Sequence, residues 1–228
     1  MTGINDKYII GSYWGSRQEP LSQIVDKVLR TLKELKDIDG QFSKYYQLGM
    51  SRKQALEKEV VLDNDSIKKL CLADIKKGEL GEDGIAKNGF LIGLWTGQKD
   101  EESASLTFNV GDSFSGNNLN NRCVLSIPYE GAARTRLLQR EISTMILRLM
   151  VEIWTPDYAV LTSDSLREKL KVGNEIGWIT YRKISKHPQK LNNRIDFEKD
   201  VQGYWFYVSS IGSSVDNAAR ELLSLKIR

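Results

Sequence analysis

The triplet Gly111-Asp112-Ser113 is where a serine nucleophile would be sought in this chain. A serine alcohol attacks only when an adjacent base, normally a histidine oriented by a carboxylate, takes its proton. The 228 residues contain one histidine, His187 in Lys186-His187-Pro188. No aspartate stands at the spacing that GDS-type hydrolases use. Gly, Asp, Ser and Asn are also the ordinary residues of turns, so the stretch from Gly111 to Asn118 reads as a polar loop and His187 as an exposed loop residue. Metal chemistry is no better provided. Cys71 and Cys123 are isolated among apolar neighbours and read as buried reduced thiols, and with one histidine they make no standard zinc site. Pro156-Asp157 opens like a nuclease motif, but the acidic and lysine residues that follow are Glu168-Lys169-Leu170-Lys171, at the wrong spacing and in a helical setting. Asp157 therefore reads as a turn residue after a helix stop. No Gly-rich loop ends in the Lys-Ser or Lys-Thr that phosphate binding needs. The enzymatic alternative left open is a small metal-dependent nuclease or hydrolase built on Asp112, Asp157 and nearby carboxylates. The reading favoured by the residues is binding without catalysis and without a cofactor.

The elements that would carry a binding surface follow from periodicity. Residues 7 to 14 alternate as a strand, Tyr8 and Ile10 on one face and Ile9 and Tyr13 on the other. Leu21, Ile24, Val25, Val28, Leu32 and Leu35 then form one helical stripe. Ser16 and Glu19 have capping-box spacing, with Pro20 as an alternative helix start. Further helices are expected over 51–59 and 65–76. A meander follows at 90–96, 103–110 and 122–128, and its middle strand has one wet face because Ser105, Thr107 and Asn109 alternate with Leu106, Phe108 and Val110. The spacing predicts a long helix over 134–153, its main stripe including Leu138, Ile142 and Met145. It is stopped by Trp154 and Pro156. Short strands at 158–162, 177–184 and 203–209, a small helix at 164–170 and a closing helix at 215–226 complete the order, with 185–200 as a polar connection. This is an α+β arrangement: one domain over 1–228, with a mixed, largely antiparallel sheet of about six or seven strands packed by several helices.

Composition sets the class. Hydrophobic residues make up 40% and charged residues 28% of the chain, with 33 Lys+Arg against 30 Asp+Glu and a net charge of +3. Opposite charges are interspersed along the chain, so no concentrated basic face is expected and nucleic acid is not the expected direct partner. The start lacks the charged head and apolar run of a secretory signal, and no segment approaches the roughly 18 apolar residues of a membrane span. A cytoplasmic protein with no membrane partner is expected. Three acidic runs stand out: Asp63 with Asp65, Glu79 with Glu82 and Asp83, and Asp100-Glu101-Glu102. Helix caps and solvated turns explain them. The functional reading is an acidic loop standing in for phosphates in the basic cleft of a nuclease.

Four of the five tryptophans lie in phrases punctuated by Gly or Pro: Ile10-Gly11-Ser12-Tyr13-Trp14-Gly15-Ser16-Arg17, Gly89-Phe90-Leu91-Ile92-Gly93-Leu94-Trp95-Thr96-Gly97, Glu152-Ile153-Trp154-Thr155-Pro156-Asp157 and Gly177-Trp178-Ile179-Thr180-Tyr181. Together with Ser51-Arg52-Lys53-Gln54-Ala55-Leu56, and in this order, they resemble the immunity protein 52 family of bacterial polymorphic toxin systems. The resemblance covers most of the chain and departs from it at 185–200 and after Ser210. It implies a non-enzymatic cytoplasmic antitoxin that binds and blocks one cognate toxin, often a type VI secretion effector with a restriction-endonuclease-like nuclease domain. Within that reading Trp14, Gly15, Arg17, Trp95, Trp154, Pro156 and Trp178 are assigned to architecture. Toxin contact is expected in the loops 98–103 and 112–120, through Asp100, Glu101, Glu102, Asp112, Phe114, Asn117 and Asn118, because both loops flank the half-wet strand.

Overall fold

The computed structural model describes residues 6–76, 78–113, 119–171, 176–183, 195–208, 211 and 214–223. Strand β1 (Tyr8–Trp14) is followed by helix α1 (Leu21–Ile38), which begins one residue later than a proline-first helix would. Pro20 is the extended residue before the first turn and offers no side-chain cap. The capping box does not form. Glu19 is buried and pairs with Lys27, while the Leu21 N–H donates to the Gly84 carbonyl at 2.9 Å. The helix stops at Asp39, whose carboxylate accepts the Gln41 N–H at 2.7 Å and opens a 3-10 turn at Gly40–Phe42. A short strand β2 (Tyr46–Gln47), helix α2 (Arg52–Leu56) and helix α3 (Asn64–Leu72) follow. Ser51 and Asp63 cap the two helices as Ser and Asp usually do.

The meander is β3 (Asn88–Trp95), β4 (Ser105–Asp112) and β5 (Asn121–Ser126), with a 3-10 turn at Asp100–Glu102 between the first two. At Gly89 φ is +69° and a Cβ would lie 2.6 Å from the Val110 carbonyl oxygen, so only glycine lets β3 start this close to β4. The expected long helix is two helices, α4 (Gly131–Leu137) and α5 (Arg140–Trp154), separated where Gln139 turns extended. The Ser143 hydroxyl donates to the Leu137 carbonyl at 2.6 Å and satisfies the break. Neither Gly nor Pro marks it, and the apolar spacing continues through it, which is why periodicity runs the two together. Met145, expected in the buried stripe, is 50% exposed. The chain closes with β6 (Tyr158–Ser163), α6 (Asp164–Leu170), β7 (Ile179–Arg182), β8 (Ile195–Lys199), β9 (Tyr204–Val208) and α7 (Val215–Leu223).

Among the described residues one nine-stranded sheet in the order β2-β3-β4-β5-β1-β6-β7-β9-β8 carries the fold. It exceeds the expected six or seven strands, and every pairing is antiparallel, so "mixed" is corrected. The additions are β2, too short to show a period, and β8, inside the stretch read as a polar connection. β8 is an edge strand, and its charged residues Asp196 and Glu198 meet Arg140 and Arg148 of α5. Only Ile195 and Phe197 alternate with charged residues in this five-residue edge strand, too short a pattern to stand out from the polar stretch around it.

The two sides of the meander differ sharply. Phe90, Ile92, Leu94, Leu106, Phe108, Val110, Cys123 and Leu125 lie on one face at 3% exposure or less, on the side where α1, α3 and α5 pack. Each such side chain contributes roughly 1.5–3 kcal/mol on burial, so this side holds the meander in place. On the opposite face Leu91, Gly93, Trp95, Ser105, Thr107, Asn109, Arg122, Val124 and Ser126 are half-buried or exposed.

Asp39 links α1 to α4. Arg136 donates from Nε and Nη2 to its two oxygens at 2.9 and 3.0 Å. That guanidinium, with the Gln41 N–H, holds the carboxyl below its ordinary range against partial burial. A depressed carboxylate adds stability that is complete above the unfolded pKa of about 3.9 and is lost as pH falls through the lower folded value. Asp39→Asn is expected to cost about 0.5–1 kcal/mol in urea unfolding at pH 7, with the difference from native disappearing toward pH 2.

Candidate functional site

The densest set of long-range polar contacts lies where β1 ends. Trp14 is fully buried and stacks on Trp154, the last residue of α5, with centroids 5.3 Å apart and planes at 21°. Beyond Trp154 the chain turns through Thr155 in the left-handed region (φ 43°), whose N–H donates to Val151. The buried Pro156 cannot continue the helix. Arg17 closes this corner. Its guanidinium donates to the Trp154 carbonyl at 2.7 Å, to the Thr155 hydroxyl at 2.9 Å and to the Thr155 carbonyl, and lies 5.5 Å from the Trp14 ring centre. A cation at a helix C-terminus satisfies carbonyls that have no partner within the helix and meets the negative end of its dipole.

Neighbouring strands enter the same corner. The Gly15 N–H donates to Asp157 Oδ2 at 2.9 Å and the Asp157 N–H to the Tyr13 carbonyl at 2.9 Å. Asn121, buried in β5, donates from Nδ2 to the carbonyls of Gly15 (2.8 Å) and Asp112 (3.0 Å) and accepts the Asp112 N–H at 2.9 Å. The Arg17 N–H donates to Asp112 O at 3.0 Å. The Trp154 indole N–H donates to Thr31 of α1 at 3.1 Å, and Lys27 Nζ stands 5.7 Å from the Trp154 ring. Trp14, Gly15, Arg17, Trp154 and Pro156 are thus brought together. The other two motif tryptophans are elsewhere: Trp95 is half-buried on β3, donating to Gln47 O at 3.2 Å, and Trp178 is fully buried, donating to Ser163 Oγ at 3.4 Å. Asn121 and Trp205 were not singled out in the sequence. Asn121 lies in a run of ordinary loop asparagines, and Trp205 lies inside an expected strand but outside the four motif phrases.

The groups proposed for chemistry are placed as follows. Burial pushes the Cys71 thiol up to about 12 and the Cys123 thiol higher still, so neither is a thiolate near neutral pH. Asp157 takes the Gly15 N–H, and Lys169 of α6 pairs with Asp216 at 3.0 Å. His187 lies outside the described residues. Among the described residues no three His, Cys, Asp or Glu side chains are grouped to hold a metal ion. The acidic runs serve local structure in part: Asp63 caps α3, Glu79 accepts the Lys76 N–H and Asp83 the Ile85 N–H. Asp26, Asp65, Glu82 and Asp83 also line one open groove of about 450 Å³ with Lys68.

The residues expected at the toxin interface are divided by the strand between them. Asp100, Glu101 and Glu102 form the turn before β4, and Asp112 is the last residue of β4. Seven steps of about 3.3 Å put roughly 23 Å between the two ends. Phe114, Asn117 and Asn118 lie outside the described residues. The turn is well fastened: buried Gln41 donates from Nε2 to Glu102 O at 2.8 Å, and the Tyr129 and Glu130 N–H groups donate to Glu101 O at 2.6 and 3.1 Å. Glu101 and Glu102 are exposed and Asp112 is half-buried. The role of Gln41 leaves no trace in the sequence, where it is one polar residue in a turn.

Removing the Arg17 guanidinium leaves the end of α5 without its donors. Arg17→Ala is expected to cost about 2–3 kcal/mol in urea unfolding followed by tryptophan fluorescence, and Arg17→Lys, which lacks the planar fork, to recover less than half of it.

No helix among the described residues is long and apolar enough to cross a membrane. The family model for immunity protein 52 matches residues 6–188, a span that includes all four motif tryptophans and the whole Arg17 corner. No curated protein matches the chain. With well over half of its length matched in this way, the chain belongs to the immunity protein 52 family.

Proposed function

We propose that this immunity protein is a cytoplasmic, non-enzymatic antitoxin that binds and neutralises one cognate secreted toxin, a type VI secretion effector with a nuclease domain of restriction-endonuclease-like fold. The observation that carries the binding part is the family match over residues 6–188. The nuclease and the secretion route rest on the resemblance in the motif phrases. The disposition of side chains agrees with a binder: the most elaborate polar cluster, around Arg17, spends its donors on backbone carbonyls, and both thiols are buried.

Contact is proposed through the turn carrying Asp100, Glu101 and Glu102 and through the loop beginning at Asp112 and including Phe114, Asn117 and Asn118. A partner reaching both must span about 23 Å, a distance that a standard interface of roughly 800 Å² per side accommodates. The glutamates of the turn stand on a backbone fixed by Gln41, Tyr129 and Glu130, so they are presented with little ordering cost on association.

The test is titration of the product of the neighbouring gene, expected to be the nuclease toxin. One equivalent of the chain is expected to abolish cleavage without a divalent-metal requirement of its own. The triple change Asp100→Lys, Glu101→Lys and Glu102→Lys is expected to weaken inhibition by at least about tenfold and to leave the melting temperature within a degree or two. Undiminished cleavage at excess chain contradicts the antitoxin reading, and unchanged affinity of the triple variant removes that turn from the interface.

A further inference from the structure

We infer that the uncovered face of β3, β4 and β5 is the seat of the partner protein, with Leu48 and Leu91 receiving an apolar side chain and Arg122 receiving a carboxylate. This rests on the antitoxin reading above and names the chemistry of the surface that the two loops border.

The face is built to stay bare. Between 90 and 95, 105 and 110, and 121 and 126, every second residue is at most 3% exposed against the helices, while the intervening ones are half-buried or exposed. Its middle row, Ser105, Thr107 and Asn109, is short and uncharged, so nothing stands up to obstruct a close approach. At the β3 side, Leu91 is 53% and Leu48 63% exposed, and Leu48 lies over Gly93, where a Cβ would meet its Cδ1 at 2.9 Å. Met50, two residues beyond Leu48 in the chain, is 96% exposed. Exposed aliphatic side chains gathered at one edge of a flat sheet surface mark a contact site more often than chance scatter does.

Charge decides what kind of partner fits. On this face Arg122 is the charged residue that β3, β4 and β5 present, and they present no carboxylate there. Elsewhere arginines are matched across elements, as in Arg136–Asp39, Arg140–Asp196 and Arg148–Glu198. Arg122 is exposed, and no described residue forms an ion pair with it. Its cross-strand neighbours are Asn109 and Tyr13. Burial raises the Tyr13 phenol while Arg167, itself paired with Asp164, and then Arg122 pull it back, so the field of Arg122 reaches this end of the face. A carboxylate on the partner completes that field, and a planar guanidinium is suited to take it in two parallel hydrogen bonds. A second copy of this chain does not fit: an isologous contact would bring together two faces that each carry arginine and no acid.

Area is consistent with a seat that continues onto its borders. Three strands about 4.8 Å apart and roughly 23 Å long cover about 330 Å² in plan. The remainder of a stable interface must come from the borders, where Glu101 and Glu102 stand at one end of β4 and Asp112 at the other.

The experiment is calorimetric titration of the neighbouring-gene product into native chain, Thr107→Trp, Arg122→Glu and Arg122→Lys, with melting curves to establish that each is folded. Thr107→Trp and Arg122→Glu are expected to weaken binding by about 100-fold or more, and Arg122→Lys by about tenfold or less. A native chain that binds one-to-one while Thr107→Trp and Arg122→Glu bind equally well overturns this face and leaves the antitoxin reading standing. A native chain that binds nothing removes the antitoxin reading, and this assignment with it. A native homodimer dissociated by Thr107→Trp in sedimentation also overturns the assignment, since the face would then be occupied by a second copy.

Discussion

The C-terminus of α5 ends in carbonyls that its own helix cannot satisfy, and the donors come from Arg17, 137 residues earlier in the chain. Because β1 and β6 are neighbours in the sheet and α5 leads directly into β6, fixing the helix end against Trp14 fixes where the helix layer sits over the strands. The stacked indoles supply contact area, and the guanidinium supplies direction, since its fork meets two carbonyls and a hydroxyl at set angles. Asn121 and Asp157 then tie β5 and the β6 entry to the same corner. Four segments distant in sequence are located by one small polar cluster on an aromatic floor.

From that anchoring follows an asymmetric sheet. The helices that meet the meander, α3 at β3 and α1 at β4, fall on one side, and the other side is left with hydroxyls, an amide, one arginine, Trp95 and a few aliphatic groups. A sheet with one packed face is free to vary the other without loss of core. That arrangement suits a protein whose task is to recognise a single partner, because the rigid part and the specific part reside on opposite faces of the same strands.

Much of this was legible in the residues. The stripe Leu21 to Leu35 and the alternation of 105–110 are strong periodic signals, and both elements stand where expected. The phrases around Trp14 and Trp154 identified the family, since a large ring beside a backbone breaker leaves a readable mark. What was not legible had no periodic signature. The α4–α5 break falls inside an unbroken apolar pattern, where the Ser143 hydroxyl takes up the freed Leu137 carbonyl, and β8 is a five-residue edge strand with two apolar residues, its charges held by arginines of α5. β2 is two residues long. The split of the acidic turn from Asp112 follows from the expected strand itself, because loops that flank one strand lie at its opposite ends.

The central claim is that a rigid corner around Arg17 supports a sheet whose bare side meets another protein. Amide hydrogen exchange, measured on the chain alone and with its cognate toxin, tests both parts at once. The account predicts the slowest exchange in β1, β5 and β6 of the free chain, and partner-induced slowing concentrated in 88–126. Fast exchange in those three strands, or slowing confined to the helices on the packed side, would contradict it.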